Sequence, residues 1–180
     1  GVEKLHGLLL HNPLDLLKEE GSSITSTLNE LKEFGIIENI GFSIYSPDSL
    51  PKLLKKLHPD IVQAPFNILD QRLLTSGWLK ELNSQDIQVH ARSIFLQGLL
   101  LMEPCDRPSY FDYWKSVLNN WDNFILKNNF SRVEACLGFV SQHSDVSNIV
   151  LGIDNIYHLK ELLKISNSLI DINVKNLSSE

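Results

Sequence analysis

The sequence predicts an α/β protein, a partial (β/α)8 TIM-type barrel in which parallel strands alternate with helices and about five strands are present. Short β-branched or apolar runs recur along the chain, and amphipathic helix patterns separate them. The two clearest runs, IVQAPFNILDQRL at 61–73 and VHARSIFLQGLLL at 89–101, both end in polar or aromatic residues. A complete barrel takes about 250 residues and rarely fewer than about 200. A chain of 180 residues therefore predicts an incomplete barrel.

The predicted strands are short apolar runs that precede polar or glycine-containing turns, at 5–11, 36–45, 60–63, 88–93 and 148–152. The first, LHGLLLH, is apolar almost throughout, which suits a strand that is covered on both faces. We expect the second strand to be broken internally at Gly41. Alternation with helices implies parallel pairing through right-handed crossovers, so the carboxyl ends of the strands should share one rim.

The predicted helices lie between these strands, at 25–34, 46–57, 76–83, 110–128, 131–141 and 156–165. Gly35 follows the first helix at the position of a C-cap glycine, and Ser46 with Pro47 forms a good N-terminus for the second. Three tryptophans fall in helix patterns and are interpreted as packing residues: Trp78, Trp114 and Trp121. A short apolar patch at 169–174 is expected to dock on the outside of the fold.

Composition favours a single globular domain over residues 1–180 in the cytoplasm. The net charge of −6 is spread without a block of like charges, which argues against partners such as nucleic acid or membrane. The apolar runs are shorter than the roughly 20 residues of a membrane-spanning helix, and no signal peptide is visible. Cys105 and Cys136 are interpreted as reduced structural thiols, and the histidines lack metal-ligand spacing, so no metal is expected.

Five segments resemble the aldo/keto reductase family in order and spacing: LLLHNP at 8–13, LKEFGIIENIGFSIY at 31–45, VQAPFNILDQR at 62–72, RSIFLQGLL at 92–100 and VLGIDNIYHLKELL at 150–163. The resemblance covers nearly the whole chain. It implies the C-terminal portion of a (β/α)8 barrel, from the fourth strand to the eighth, with the first three βα units absent. Those units are expected either upstream of this sequence or not at all.

The resemblance also implies an oxidoreductase that uses NAD(P)H for carbonyl reduction or alcohol oxidation on a small carbonyl substrate. The family uses a tyrosine as proton donor, a lysine, an aspartate and a histidine that orients the carbonyl. Of these, the histidine alone maps onto this sequence, at His11. Charge that develops on the carbonyl oxygen needs a donor about 3 Å away, so we expect this chain alone to be inactive.

Cofactor contacts carry over at the strand ends. Ser43 and Gln63 match the side chains that hold the nicotinamide carboxamide, although Ile44 stands where asparagine usually follows the serine. Arg92 occupies the place where the family often stacks a tyrosine on the nicotinamide ring. Four residues match the loop that passes the pyrophosphate: Ser93, Phe95, Leu96 and Gly98.

The last cofactor segment is Gly152 with the start of the following helix, at Asp154 and Asn155. It matches the place where the adenosine phosphate sits on helix N-terminal amides. The family often has a basic residue where this chain has Asp154, and a carboxylate repels a 2′-phosphate, so NADH should be favoured over NADPH. We expect Gly152 to converge with His11, Ser43 and Gln63 at the common rim.

Structural interpretations remain open beside these. Ser43 and Gln63 are also what a strand needs where it meets a loop, and Arg92 could be a buried arginine that pairs with Asp70. Residues 70–72 are interpreted as a turn that closes onto the next helix. The alternative function is a non-catalytic partial-barrel module for binding or assembly, in which a homodimer covers the sheet edges.

Overall fold

The computed structural model describes residues 2–166 and residue 172. Within this part of the chain, five parallel strands alternate with helices and form one sheet in the order β1-β2-β3-β4-β5. The strands are β1 Leu5–Leu10, β2 Ile37–Ser43, β3 Ile61–Pro65, β4 Gln88–Arg92 and β5 Asn148–Ile149. The predicted class, a partial α/β barrel, is confirmed.

The helices of the described residues are α1 Gly21–Glu33, α2 Leu50–Leu53, α3 Arg72–Thr75, α4 Trp78–Ser84, α5 Lys115–Asn128, α6 Arg132–Ser141 and α7 Ile156–Ser166. Short 3₁₀ turns precede several of them, among them Pro13–Leu17, Pro47–Ser49 and Ser109–Trp114. The predicted helix at 46–57 is therefore divided. Ser46 does cap it, accepting a bond from the Asp48 amide, but Pro51 has no N–H for the first α-helical bond, and the first turn is 3₁₀.

The second strand is not broken at Gly41, which corrects that expectation. β2 runs through Gly41, which is level with Leu9 on β1 and Ile61 on β3. A Cβ atom built at Gly41 would lie 2.0 Å from the carbonyl oxygen of Ile61. The glycine therefore lets β3 approach β2 closely, and it interrupts nothing.

The fifth strand is shorter than predicted, with two residues where 148–152 was expected. The pairing at its start depends on a side chain, because the Val89 amide donates to the Ser147 hydroxyl at 3.2 Å, while the Ser147 amide donates to the Val89 carbonyl at 2.9 Å. Gly152 consequently lies in the loop between β5 and α7.

The chain divides into two compact units. The first comprises residues 1–65, 72–91 and 145–148, and its buried side chains come from the strands and the helices beside them, including Phe42, Leu50 and Val62. The second comprises residues 66–71, 92–144 and 149–180, and is centred on Phe66, Phe139 and the completely buried Trp121. The expectation of a single domain stays a prediction.

The three tryptophans differ in burial. Trp121 is a core residue, as expected, whereas Trp114 is 43% exposed and contacts the rings of Tyr110 and Tyr113 at the surface. Of the patch at 169–174, Ile172 is described. It is buried, and its backbone exchanges hydrogen bonds with the Gln142 side chain. The rest of the patch lies outside the described residues.

The two cysteines are free thiols in different surroundings. Burial raises the pKa of Cys136 to about 12, and the nearby Arg132 offsets this only in part, whereas Cys105 is exposed. Because the thiolate is the nucleophile, we expect an aromatic disulfide reagent at pH 8 to modify one thiol quickly in the native chain and the second only after unfolding. Native-state modification of Cys136 as fast as that of Cys105, followed by mass spectrometry, would contradict this.

Candidate active site

Three of the predicted site residues lie side by side at the carboxyl edge of the sheet in the first unit. The strand register places Leu10 opposite Phe42, and Ser43 opposite Gln63. His11 follows Leu10 directly, so it comes level with Ser43 one step beyond β1. The parallel sheet thus presents an imidazole, a hydroxyl and an amide in one row, which we call the polar row.

The polar row is held by a side-chain hydrogen bond. The Ser43 hydroxyl donates to Oε1 of Gln63 at 3.1 Å, and Ser43 is only 7% exposed. A buried hydroxyl needs such a partner, because leaving it unbonded would cost about 1–3 kcal/mol. Ile44, at the place of the family's usual asparagine, is buried and contributes an apolar side chain. His11 is exposed at the end of the row.

The second unit contains a tight turn after β4. Residues 93–98, which we call the β4 turn, include three non-glycine residues in the left-handed region: Ser93 at φ 57°, Leu96 at 48° and Gln97 at 55°, followed by Gly98 at 88°. Such backbone costs of order 1–3 kcal/mol per residue and persists where the surroundings enforce it, often at ligand sites. The turn closes on its own bonds, among them Leu96 N to Ser93 O and Leu100 N to Phe95 O.

Asn67 secures the start of the β4 turn. Its side-chain amide donates to the Ser93 carbonyl at 3.1 Å, while its Oδ1 accepts from the amides of Leu69 and Asp70. The residue is completely buried. The expectation that 70–72 belong to a turn fits this arrangement. Asn67 was missed from the sequence, although a lone asparagine inside the apolar run APFNIL is a usable signal.

Arg92 lies between the strand and the β4 turn. Its Nη1 donates to the Ser93 hydroxyl at 3.1 Å, and its carbonyl accepts from the Phe66 amide. Its predicted contact with a cofactor ring, and the alternative pairing with Asp70, both stay predictions.

A cavity of about 480 Å³ adjoins the β4 turn within the second unit. Its lining comes from the β4 turn, α6, the loop after β5 and α7, and it includes several of the predicted cofactor residues: Ser93, Ile94, Phe95, Gln97, Gly98, Leu101, Val133, Val150, Leu151, Gly152, Asp154, His158, Glu161 and Leu162. This lining carries two carboxylates and no lysine or arginine. His158 and Glu161 were missed from the sequence, although they follow Asp154 at helical spacing.

The start of α7 is capped from within the chain. Oδ1 of Asn155 accepts from the amides of Tyr157 at 2.9 Å and His158 at 3.0 Å. Two amides that the resemblance offers to a phosphate are therefore already bonded to a side chain. The Asp154 side chain is 92% exposed, with one carboxylate oxygen 3.9 Å from Nδ1 of His158.

A Cβ atom at Gly152 would meet nothing within 4 Å, so this glycine is not required by packing. Gly152 lines the cavity of the second unit, whereas the polar row belongs to the first. Its convergence with His11, Ser43 and Gln63 stays a prediction. Among residues 2–166 and 172, no cluster of three or more histidine, cysteine or acidic side chains could hold a metal ion. In the same residues, every helix is too short or too polar to cross a membrane.

Known proteins share this arrangement of strands and helices. The sequence model of the aldo/keto reductase family matches residues 1–177. An uncharacterized oxidoreductase, YqkF of Bacillus subtilis, is 26% identical over 171 residues, which are 86% of this chain and 55% of that protein. The chain belongs to the aldo/keto reductase family. It spans little more than half the length of this curated relative.

Solved structures show the same fold. The apo form of the aldo-keto reductase AKR11C1 from Bacillus halodurans matches with a TM-score of 0.75 and 18% identity, over 98% of this chain and 60% of that one. A mutant of Gox0644 in complex with NADPH matches with a TM-score of 0.68 and 16% identity, over 99% of this chain and 60% of that one. At these identities the likeness concerns the fold alone.

Proposed function

We propose that this chain forms the nicotinamide-cofactor site of an aldo/keto reductase-type oxidoreductase and contributes the histidine that orients a small carbonyl substrate. The observation that carries the proposal is the cavity of the second unit, where a strained turn and an open glycine meet at the segments that match the family's cofactor contacts. Strained backbone around a cavity is typical of a ligand site.

The cavity fits the adenosine and pyrophosphate part of the cofactor. Its volume of about 480 Å³ lies within the roughly 300–1,000 Å³ of small-molecule sites. Gly98 and Gly152 leave room at the backbone, since a Cβ at either would meet nothing within 4 Å. Asn155, as the cap of α7, borders the loop that holds Gly152.

The polar row fits the nicotinamide carboxamide. With Oε1 of Gln63 accepting from Ser43, the NH₂ group of Gln63 is of the chemical type that donates to a carboxamide oxygen. When bound, the cofactor supplies the hydride that passes to or from a carbonyl carbon. His11 would orient the carbonyl by donating a hydrogen bond to its oxygen. The family's tyrosine, lysine and aspartate have no counterpart in these 180 residues, so we propose that the chain alone does not turn over.

NADH should bind more tightly than NADPH. Asp154 and Glu161 place two carboxylates in a lining without a lysine or arginine, and Asn155 already occupies two of the α7 amides. A 2′-phosphate would meet like charge and few donors, whereas a ribose hydroxyl can donate to a carboxylate.

The test is calorimetric titration of the full chain with NADH and with NADPH. We expect saturable binding of both and a Kd for NADH about ten-fold lower, which corresponds to about 1.4 kcal/mol. Absence of saturable binding of either nucleotide would overturn the proposed function. Equal affinities would overturn the preference alone.

A substitution at Gly152 separates binding from stability. Gly152→Ala adds a methyl group that meets no protein atom within 4 Å, so the melting temperature should stay within about 2 °C. If the cofactor lies against this backbone, the methyl group takes its space, and the Kd for NADH should rise about ten-fold or more. Tighter or unchanged binding would show that the cofactor does not approach Gly152.

The second candidate function is the non-catalytic assembly module. It is favoured by β1, which is an end strand of the sheet in the described residues and yet carries the apolar run LHGLLL. Addition of a partner's strand along β1 would cover it. Light scattering should then give a dimer mass for a chain that binds neither nucleotide; a monomer at all concentrations would exclude this function.

A further inference from the structure

Helix α5 anchors the segment that follows the β4 turn. The indole N–H of Trp121 donates to the Leu100 carbonyl at 3.0 Å, and both partners are buried. Gly98, two residues before Leu100, and Leu101, directly after it, line the cavity of the second unit. One wall of the cavity is therefore tied to α5 through this bond.

Asp122, the next residue on α5, collects two arginines from different segments. Arg107 binds its carboxylate with both terminal nitrogens, at 2.7 and 2.6 Å, and Arg132 binds it at 2.8 Å. Arg107 also donates to the Met102 carbonyl at 3.2 Å. Arg132 is the first residue of α6, and its neighbour Val133 lines the cavity from the other side. We call Asp122, Arg107 and Arg132 the α5 clamp.

The α5 clamp is buried and strongly coupled. Asp122 is only 8% exposed. Burial opposes ionisation of its carboxyl group, but the hydrogen bonds and charges of Arg107 and Arg132 outweigh it and hold the pKa of Asp122 below its usual value. Apolar packing often stabilises a fold as well as a buried ion pair does, so such pairs are better explained by the geometry that they enforce.

We propose that Asp122 is a positioning residue for the cofactor cavity, because it joins the segment after the β4 turn to the first turn of α6 and so fixes the distance between the two walls. This inference rests on the proposed function of the cavity. It predicts that loss of the Asp122 charge widens or loosens the site without any change in a residue that contacts the cofactor.

The test compares Asp122→Asn with Asp60→Asn in the full chain. Asp60 is a matched control: its carboxylate also binds a cation, Lys32 at 2.6 Å, and a backbone amide, but it lies in the first unit. At a temperature where circular dichroism shows each variant to be folded, we expect Asp122→Asn to raise the Kd for NADH at least ten-fold. Asp60→Asn should stay within two-fold of the wild type.

Hydrogen exchange supplies a readout that does not need a nucleotide. The amides of 99–103 should exchange at least ten-fold faster in Asp122→Asn than in the wild type, while those of β2 are unchanged. If the wild type binds neither NADH nor NADPH, the proposed function fails, and exchange still decides whether Asp122 sets the wall. Unchanged exchange in the folded variant, or unchanged Kd in a wild-type-like titration, would overturn the inference.

A second variant covers the case in which Asp122→Asn does not fold. Arg107→Lys keeps the charge on Asp122 but removes the two-pronged bond and the bond to Met102. We expect it to remain folded and to show the same two effects, with a Kd raised about three-fold or more. A folded Arg107→Lys with native exchange and native affinity would overturn the inference as well.

Discussion

Replacing Asp154 by arginine is expected to reverse the nucleotide preference of the chain. The change removes a carboxylate from the cavity lining and places a guanidinium there, which can form two parallel bonds to a phosphate. For an exposed site, each of these changes contributes about 1 kcal/mol or more, so the Kd for NADPH should fall about 30-fold relative to the wild type. The Kd for NADH should change by less than about three-fold.

The control for this prediction is Asp112→Arg, the same change of charge at an exposed residue of the second unit that does not line the cavity. Its NADPH affinity should match that of the wild type at 150 mM salt, because a distant exposed charge is screened. Titration of both variants with both nucleotides checks the result. An equal gain in the two variants would mean that net charge alone, and not the position of Asp154, sets the preference.

Gly41→Ala should destabilise the first unit severely. The added Cβ would lie 2.0 Å from a backbone oxygen of Ile61 and 2.8 Å from a methyl group of Leu9. Because the closer atom is backbone, β2 and β3 must separate, and we expect the free energy of unfolding to fall by about 3 kcal/mol or more. Urea unfolding monitored by circular dichroism measures it.

Gly7→Ala on the neighbouring strand is the matched control. Its nearest atom would be the terminal methyl of the Ile61 side chain at 3.0 Å, which can rotate away. We expect a cost below about 1 kcal/mol. Comparable losses for the two alanines would show that the close approach at Gly41 does not limit stability.

The strands could be located from the sequence because each is a local apolar run that ends at a polar residue. The polar row followed for the same reason: Ser43 and Gln63 stand at strand ends, and parallel strands bring their ends to one edge. Boundaries were less predictable. The length of β5 depends on a bond between Val89 and Ser147, residues far apart in sequence, and no local pattern encodes such a bond.

Misread and missed residues share one physical cause. Gly41 looked like an interruption because its steric role is defined by Ile61, twenty positions later. Asn67 acts on Ser93, and Asp122 acts on Arg107; each pair is brought together by folding. His158 and Glu161 differ, since their spacing from Asp154 on α7 could have indicated a shared face of the helix.

The two margins of the sheet are unequal in their capacity to recruit other chains. A margin strand of two residues, part of whose pairing already runs through a serine hydroxyl, offers almost no backbone template to an incoming polypeptide. The six-residue margin at the opposite end of the strand order, rich in leucine, offers a long one. Self-association or aggregation of this protein should therefore be directional, and a lysine or proline introduced along the longer margin should raise its solubility where the same change at the shorter margin has little effect.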